Sequence, residues 1–234
     1  MTAGTARAAV VRDEVDAFAA DLSARGRCRE LRVQLPAAPW PLPLASTAAR
    51  VRRDGDRVDH EALVFSRQQR LDHAAVAAAA TLEPRFVDAV ADGVLLLCEQ
   101  SSWCWPAHDD AFARSGHVLP DVDHPTLDLG AGDVVAQLAW IDHLLGAQLD
   151  EAYPGLRARV RLEARRRVFD PFVGRRDWHW IGEDGDVHNW NPWIHGNVLV
   201  GALRLLDGPD DAPLRDRVVG LADYGLGLYL AALP

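Results

Sequence analysis

Between Asp13 and Arg25 the apolar residues Val15, Phe18, Ala19 and Leu22 recur every three or four positions and Gly26 follows as a stop signal, which predicts an amphipathic helix. The run Leu31 to Leu35 alternates as a short extended segment does, and Pro36, Pro39, Trp40, Pro41 and Pro43 then forbid regular structure. In Val51 to Val58, Asp54-Gly55 suits a tight hairpin turn. Residues 1–60 therefore read as an N-terminal lead-in of one helix and an irregular or hairpin segment.

From there the period is helical to the end. Helices are expected over about Gln68 to Ala80, and from Pro84 with Phe86, Val87, Val90, Val94 and Leu97 on one side. A third carries Val134, Leu138, Ile141 and Leu145 and is opened by Asp128 or Asp133. The rest run from Pro154 to about Phe169, from Pro192 to Leu206 with Ile194, Val198, Gly201 and Leu205 in a stripe, and from Pro213 to Leu230. Helices joined by Pro- and Gly-containing loops without βαβ alternation predict an all-α domain of stacked antiparallel pairs over residues 61–234. Two loops, Gln100 to Asp128 and Asp170 to Asn191, are longer than such connections need to be.

Composition narrows the chemistry. A net charge of −9 repels polyphosphates and argues against nucleic acid or an anionic membrane as partner. All 25 basic residues are Arg, so lysine Schiff-base and P-loop chemistry are excluded. Cys28, Cys98 and Cys104 form no CxxC pair, which fits a reducing compartment. With no signal peptide or long apolar run visible, a cytoplasmic location is expected.

Trp103, Trp105, Trp178, Trp180, Trp190 and Trp193, of eight Trp in the chain, crowd the two long loops and the helix start after them. In the first loop, Trp103 and Trp105 precede His108, Asp109 and Asp110, offering flat apolar faces beside hydrogen-bonding groups as sugar sites do. The alternative is that these Trp pack the mouth of a helical bundle and the acids are solvated.

The second loop holds Asp177-Trp-His-Trp180 and His188-Asn-Trp-Asn-Pro-Trp-Ile-His-Gly-Asn197. Asn191 before Pro192 reads as a helix cap, whereas Asn189 stands outside, close to the positive helix end where an anion is favoured. His179, His188 and His195 match no metal spacing, so neither a metal nor another cofactor is expected. No Gly-x-Ser-x-Gly is present, and Cys104 has no evident activating base.

Trp103-Cys-Trp-Pro-Ala-His-Asp-Asp110, Leu127-Asp-Leu129, Leu138-Ala-Trp-Ile-Asp142, Arg167-Val-Phe-Asp-Pro171 and Asn189-Trp-Asn-Pro-Trp-Ile-His-Gly-Asn197 resemble bacterial heparinase II/III-like proteins, over about Val64 to the C-terminus. The resemblance implies an incomplete (α/α) toroid. It also implies a polysaccharide lyase that breaks the bond to O4 of a uronic acid by β-elimination. In that chemistry a donor neutralises the uronate carboxylate, a base takes the C5 proton and an acid protonates O4.

By the resemblance, Asn189 matches the carboxylate-binding Asn, while Trp190 stands where the family often has His. His188 or His195 is expected to compensate, with His188 and Asn189 as the catalytic pair. Trp103, Trp105, His108, Trp178, His179, Trp180, Trp190, Asn191, Trp193, His195 and Asn197 are expected to line the substrate site. The family's acid/base Tyr lies further on; Tyr224 and Tyr229 are the candidates here and read as helix core.

The expected partner is an acidic polysaccharide or oligosaccharide, with the open toroid face covered by further chain or by a second copy. Two alternatives stand beside the lyase: a non-catalytic carbohydrate-binding module or truncated enzyme, and a glycoside hydrolase using a pair among Asp109, Asp110 and Asp123.

Overall fold

The structure, a computed structural model, describes residues 35, 38–185 and 188–233. The helix expected over Asp13 to Arg25 lies outside these residues, as does the Leu31 to Leu35 run except for its last residue. The described regular structure is all helical: α1 (Ala45–Ala48), α2 (Arg50–Arg53), α3 (Val58–Thr81), α4 (Pro84–Glu99), α5 (Ala111–Ser115), α6 (Leu129–Ala152), α7 (Leu156–Ala164), α8 (Asp170–Gly174), α9 (Trp190–Leu205) and α10 (Ala212–Ala231). Single 3-10 turns occupy His179–Ile181 and Pro209–Asp211.

The long helices form three antiparallel hairpins: α3 with α4, α6 with the α7–α8 rod, and α9 with α10. Their first members pack side by side, α3 on α6 and α6 on α9, and their second members form the other row, α4 against α7 and α8 against α10. Stacked antiparallel pairs are thus observed, with the middle hairpin separating the outer two.

The starts of these helices follow simple chemistry. Pro84 occupies the first turn of α4, where no N–H is needed. Asp128 caps α6, its carboxylate accepting from the Ala131 N–H at 2.9 Å. Small residues let α6 and α9 approach closely: a Cβ on Gly201 would stand 2.8 Å from a methyl of Val135. The core between the rows is mostly aliphatic, including Leu71, Val90, Leu138, Leu145, Phe169, Phe172, Ile194 and Val198.

Among the polar ties between the middle hairpin and the first is a buried arginine. Pro171 can offer no N–H to the turn before it, and there the rod widens into a π turn over Arg165–Phe169. Arg167, in that turn, is 8% exposed. It pairs with Glu163 at 2.8 Å and donates to the carbonyls of Cys98, at 2.8 Å, and Gln100. Those carbonyls belong to the C-terminal end of α4, which has few partners of its own.

Several boundaries differ from the sequence reading. Asp54-Gly55 closes a helical turn instead of a hairpin: Gly55 takes the left-handed conformation and the Asp54 carboxylate accepts from the Asp56 N–H. Arg50 holds Asp54, Asp56 and Asp59 together, which draws the chain back toward α3. Helix α3 then begins at Val58, ten residues before the expected start, so a boundary at residue 60 falls inside it. The lead-in is also packed on the first hairpin, since Trp40 lies where a Cβ on Gly93 would meet its ring at 2.8 Å.

Candidate functional site

The N-terminal ends of α6 and α9 and the loop before α5 meet in one aromatic cluster. Trp105 lies edge-on to Phe65 and 5.2 Å from the His108 ring; His108 in turn lies 4.4 Å from Trp190. Around Trp190 stand His179 and His188, each with its ring centre 5.2 Å away. The Trp105 position depends on a glycine, because a Cβ at Gly130 would fall 2.4 Å from the indole nitrogen.

The histidines are oriented differently. His108 Nδ1 lies 2.8 Å from Oδ2 of Asp128. Asp128 is 1% exposed and also accepts from the Trp105 backbone N–H at 3.2 Å. A carboxylate accepts only, so Nδ1 donates and a neutral imidazole keeps its lone pair on Nε2, which lies 3.5 Å from the Arg57 guanidinium. His188 is the reverse: its Nδ1 accepts from the Trp190 N–H at 3.2 Å, so its ring proton sits on Nε2.

Asn189 is exposed at the N-cap position of α9 and makes no capping bond with its side chain. One turn into α6, Asp133 accepts from the Trp193 indole at 2.7 Å and from the Asn197 amide at 3.1 Å. Burial pushes the Asp133 carboxyl above its usual range against these two donors, and Asp128 adds to the rise. Sequence reasoning had treated Asp133 only as a possible helix cap; its spacing to Asn197 across two helices is visible only once they are packed.

Thus Trp105, His108, His179, His188, Asn189, Trp190, Trp193 and Asn197 are at least partly accessible, Trp193 being 55% exposed. Five other expected substrate contacts are buried instead. Trp103 and Trp180 are core residues whose indoles donate to the carbonyls of Leu97 and Leu127 at 2.9 and 3.1 Å. Trp178 stacks along Trp180 with the Arg175 guanidinium 3.7 Å over its ring.

Asn191 is no cap, because α9 starts at Trp190, two residues before the expected Pro192, and turns that side chain inward. It is fully buried and donates to the carbonyls of Ile181 and Gly225 at 2.8 and 3.0 Å. His195 is equally buried, with Nδ1 2.8 Å from the Asn191 carbonyl. Burial holds its pKa down at about 4 even though that bond opposes the fall, which leaves it a neutral core residue and not the compensating His expected from the sequence.

Other groups are chemically quiet. Asp110 is held below the usual carboxylate range because bonds from Thr126, Arg175 and Arg114 outweigh its burial, which disfavours it as the proton donor of a hydrolase pair. Burial raises the Cys98 thiol to about 11 and pushes the Cys104 thiol well above its ordinary value, so neither is a thiolate. Among the described residues no three His, Cys, Asp or Glu side chains are grouped to hold a metal, and no helix is long and apolar enough to cross a membrane.

Comparison with known proteins adds no relative. No family model matches the chain, and no curated protein matches it either.

Proposed function

We propose that the protein is a heparinase II/III-like, lyase-type domain that binds uronate-containing saccharide across the Trp105–His108–Trp190 surface and cleaves it by β-elimination. The observation that carries this reading is the His108–Asp128 pair, a histidine aimed by a buried carboxylate and leaning on an exposed-edge Trp. An aromatic face beside polar donors suits a sugar ring, and an imidazole that keeps its Nε2 lone pair, beside Arg57, suits proton abstraction.

In this reading Asn189 and Arg57 hydrogen-bond the uronate carboxylate, which acidifies C5–H and stabilises the enolate that forms. His108 Nε2 takes the C5 proton. Asp133, whose burial favours the protonated form, gives a proton to the departing O4. His188, with its proton on Nε2, donates to the substrate and abstracts nothing. Stacked antiparallel hairpins are compatible with an (α/α) toroid, and in this reading the cluster would lie on the rim of its cleft.

A second reading, a non-catalytic saccharide-binding module, is favoured by where the tyrosines stand. Tyr153 donates to Asp88 after the far end of α6, and Tyr224 and Tyr229 ride on α10 in the other row. The test is incubation with a panel of uronate-containing polysaccharides, read by the ultraviolet absorbance of the new double bond. The lyase reading expects a signal that falls at least a hundredfold in His108→Ala and in Asn189→Ala. Saccharide binding without that signal, lost in Trp190→Ala, would establish the module instead; hydrolysis without a double bond overturns both.

A further inference from the structure

The segment Ser102–Pro106 has two faces. Trp105 turns onto Gly130 and the aromatic cluster, whereas Cys104 and Pro106 turn the other way and line a cavity of about 440 Å³ beside α1, α3 and the end of α4. That volume lies within the roughly 300–1,000 Å³ typical of small-molecule sites. Its walls include Pro43, Leu44, Leu96 and Leu119, so an apolar body fits it.

Two nitrogenous side chains of α3 reach into this apolar space, His60 at 7% and Arg67 at 4% exposure. Arg67 Nε donates to the Pro41 carbonyl at 2.9 Å and Nη1 to the Gln100 side-chain oxygen at 3.0 Å. Both acceptors are neutral, and Nη2 has no acceptor among the described residues. Nor does any described carboxylate pair with Arg67: Glu99 lines the same cavity from an exposed position without reaching it.

The contrast with Arg167 is direct, since that arginine is buried to the same degree and carries Glu163 as its counter-charge. A guanidinium taken out of water without an anion is costly, and one facing a cavity favours whatever anion can enter. His60 does not supply a competing charge. The Thr47 hydroxyl donates to the Leu44 carbonyl at 2.8 Å, so His60 Nδ1 must donate to Thr47 at 2.9 Å, leaving the lone pair of neutral His60 on Nε2. Burial, aided by Arg67 and opposed by Glu61, lowers its pKa and keeps it neutral.

We propose that this cavity is a binding site for a small monocarboxylate with an apolar body, its carboxylate on the Arg67 fork and its hydrocarbon against the proline and leucine walls. One cation matches one negative charge, and the planar fork matches a carboxylate in two-point geometry. The site is separate from the saccharide surface and does not depend on the reading given for it.

Calorimetric titration of the whole chain with decanoate, below its micellar concentration, tests this, with decanol as the uncharged probe of the same shape. The expected result is saturable binding of one decanoate per chain, with decanol at least tenfold weaker. Arg67→Gln is expected to weaken decanoate at least tenfold while His108→Ala leaves it unchanged. Because Arg67 also ties Pro41 to Gln100, each variant is first checked for a cooperative melt; if Arg67→Gln does not fold, Ala48→Trp, which fills the cavity and keeps Arg67, decides. Absence of decanoate binding, equal binding of decanol, or undiminished binding by a folded Arg67→Gln or Ala48→Trp overturns the proposal.

Discussion

Asp128 Oδ2 lies 2.8 Å from His108 Nδ1 while Oδ1 of the same carboxylate accepts from the Ala131 N–H at 2.9 Å. One buried side chain thus begins helix α6 and orients the imidazole of the candidate site. The site is consequently as rigid as the helix end on which it rests, and any change at Asp128 acts on stability and on His108 together.

Asp128→Ala is expected to cost about 2–4 kcal/mol, combining a lost N-cap of about 1 kcal/mol with unpaired donors on Trp105 and His108 worth about 1–3 kcal/mol. His108→Ala removes one bond and leaves the cap, so it should cost clearly less. Urea denaturation of the two variants at neutral pH measures the difference; equal losses would show that the cap contributes nothing beyond the His108 bond and would overturn the dual role of Asp128.

Arg167→Met keeps the bulk of the side chain and deletes its charge. Glu163, 3% exposed, then retains only Arg159, and the Cys98 and Gln100 carbonyls lose their donor. Breaking a buried pair in this way costs about 3–5 kcal/mol, reduced here by the remaining Arg159 contact. A loss of about 2–4 kcal/mol in chemical denaturation is therefore expected, and a loss within about 0.5 kcal/mol would show that Arg167 is no significant tie between the hairpins.

What was legible in the sequence followed the strength of local signals. Pro84 marks a helix start that needs only neighbouring residues, and of the two acids that could open α6, Asp128 and Asp133, it is Asp128 that caps it. The start of α3 is not marked locally because the apolar residues of Val58 to Gln68 are bunched at Ala62-Leu-Val-Phe65 and not spaced in a helical stripe, and its first turn is held by Arg50 and Arg57 pairing with Asp59 and Glu61. Asn191-Pro192 looks like a cap, yet tertiary contacts with Ile181 and Gly225 draw Asn191 inward and start the helix earlier. The Trp-rich segments were located, but not which rings face inward. Whether an indole finds a buried carbonyl, as Trp103 and Trp180 do, depends on chain distant in sequence or on a turn whose path no local pattern specifies.

Two glycines in α10 separate packing from propensity. A Cβ at Gly225 would lie 2.1 Å from His195 Nε2, in a site closed by Phe172 and Trp180, so neither residue can move aside. At Gly220 a Cβ meets nothing within 4 Å. Gly225→Ala is expected to destabilise by about 3 kcal/mol or more, whereas Gly220→Ala should stabilise by up to about 1 kcal/mol through helix propensity. Thermal midpoints moving in opposite directions would verify the packing, and a neutral Gly225→Ala would contradict it.

His195 gives the stability a definite pH dependence. Its pKa is near 6.5 when the chain is unfolded and about 4 in the folded protein, where burial disfavours the imidazolium. The unfolded chain therefore binds the proton first as the solution is acidified. The contribution is complete above about pH 6.5, is lost progressively as pH falls toward 4, and levels off below that, for a total of about 3 kcal/mol. Urea midpoints measured from pH 7 to pH 4.5 should fall steadily, and His195→Leu, which has no proton to bind, should flatten this part of the curve while lowering its plateau. If the two proteins lose stability in parallel over that range, His195 is not the group that senses the acid.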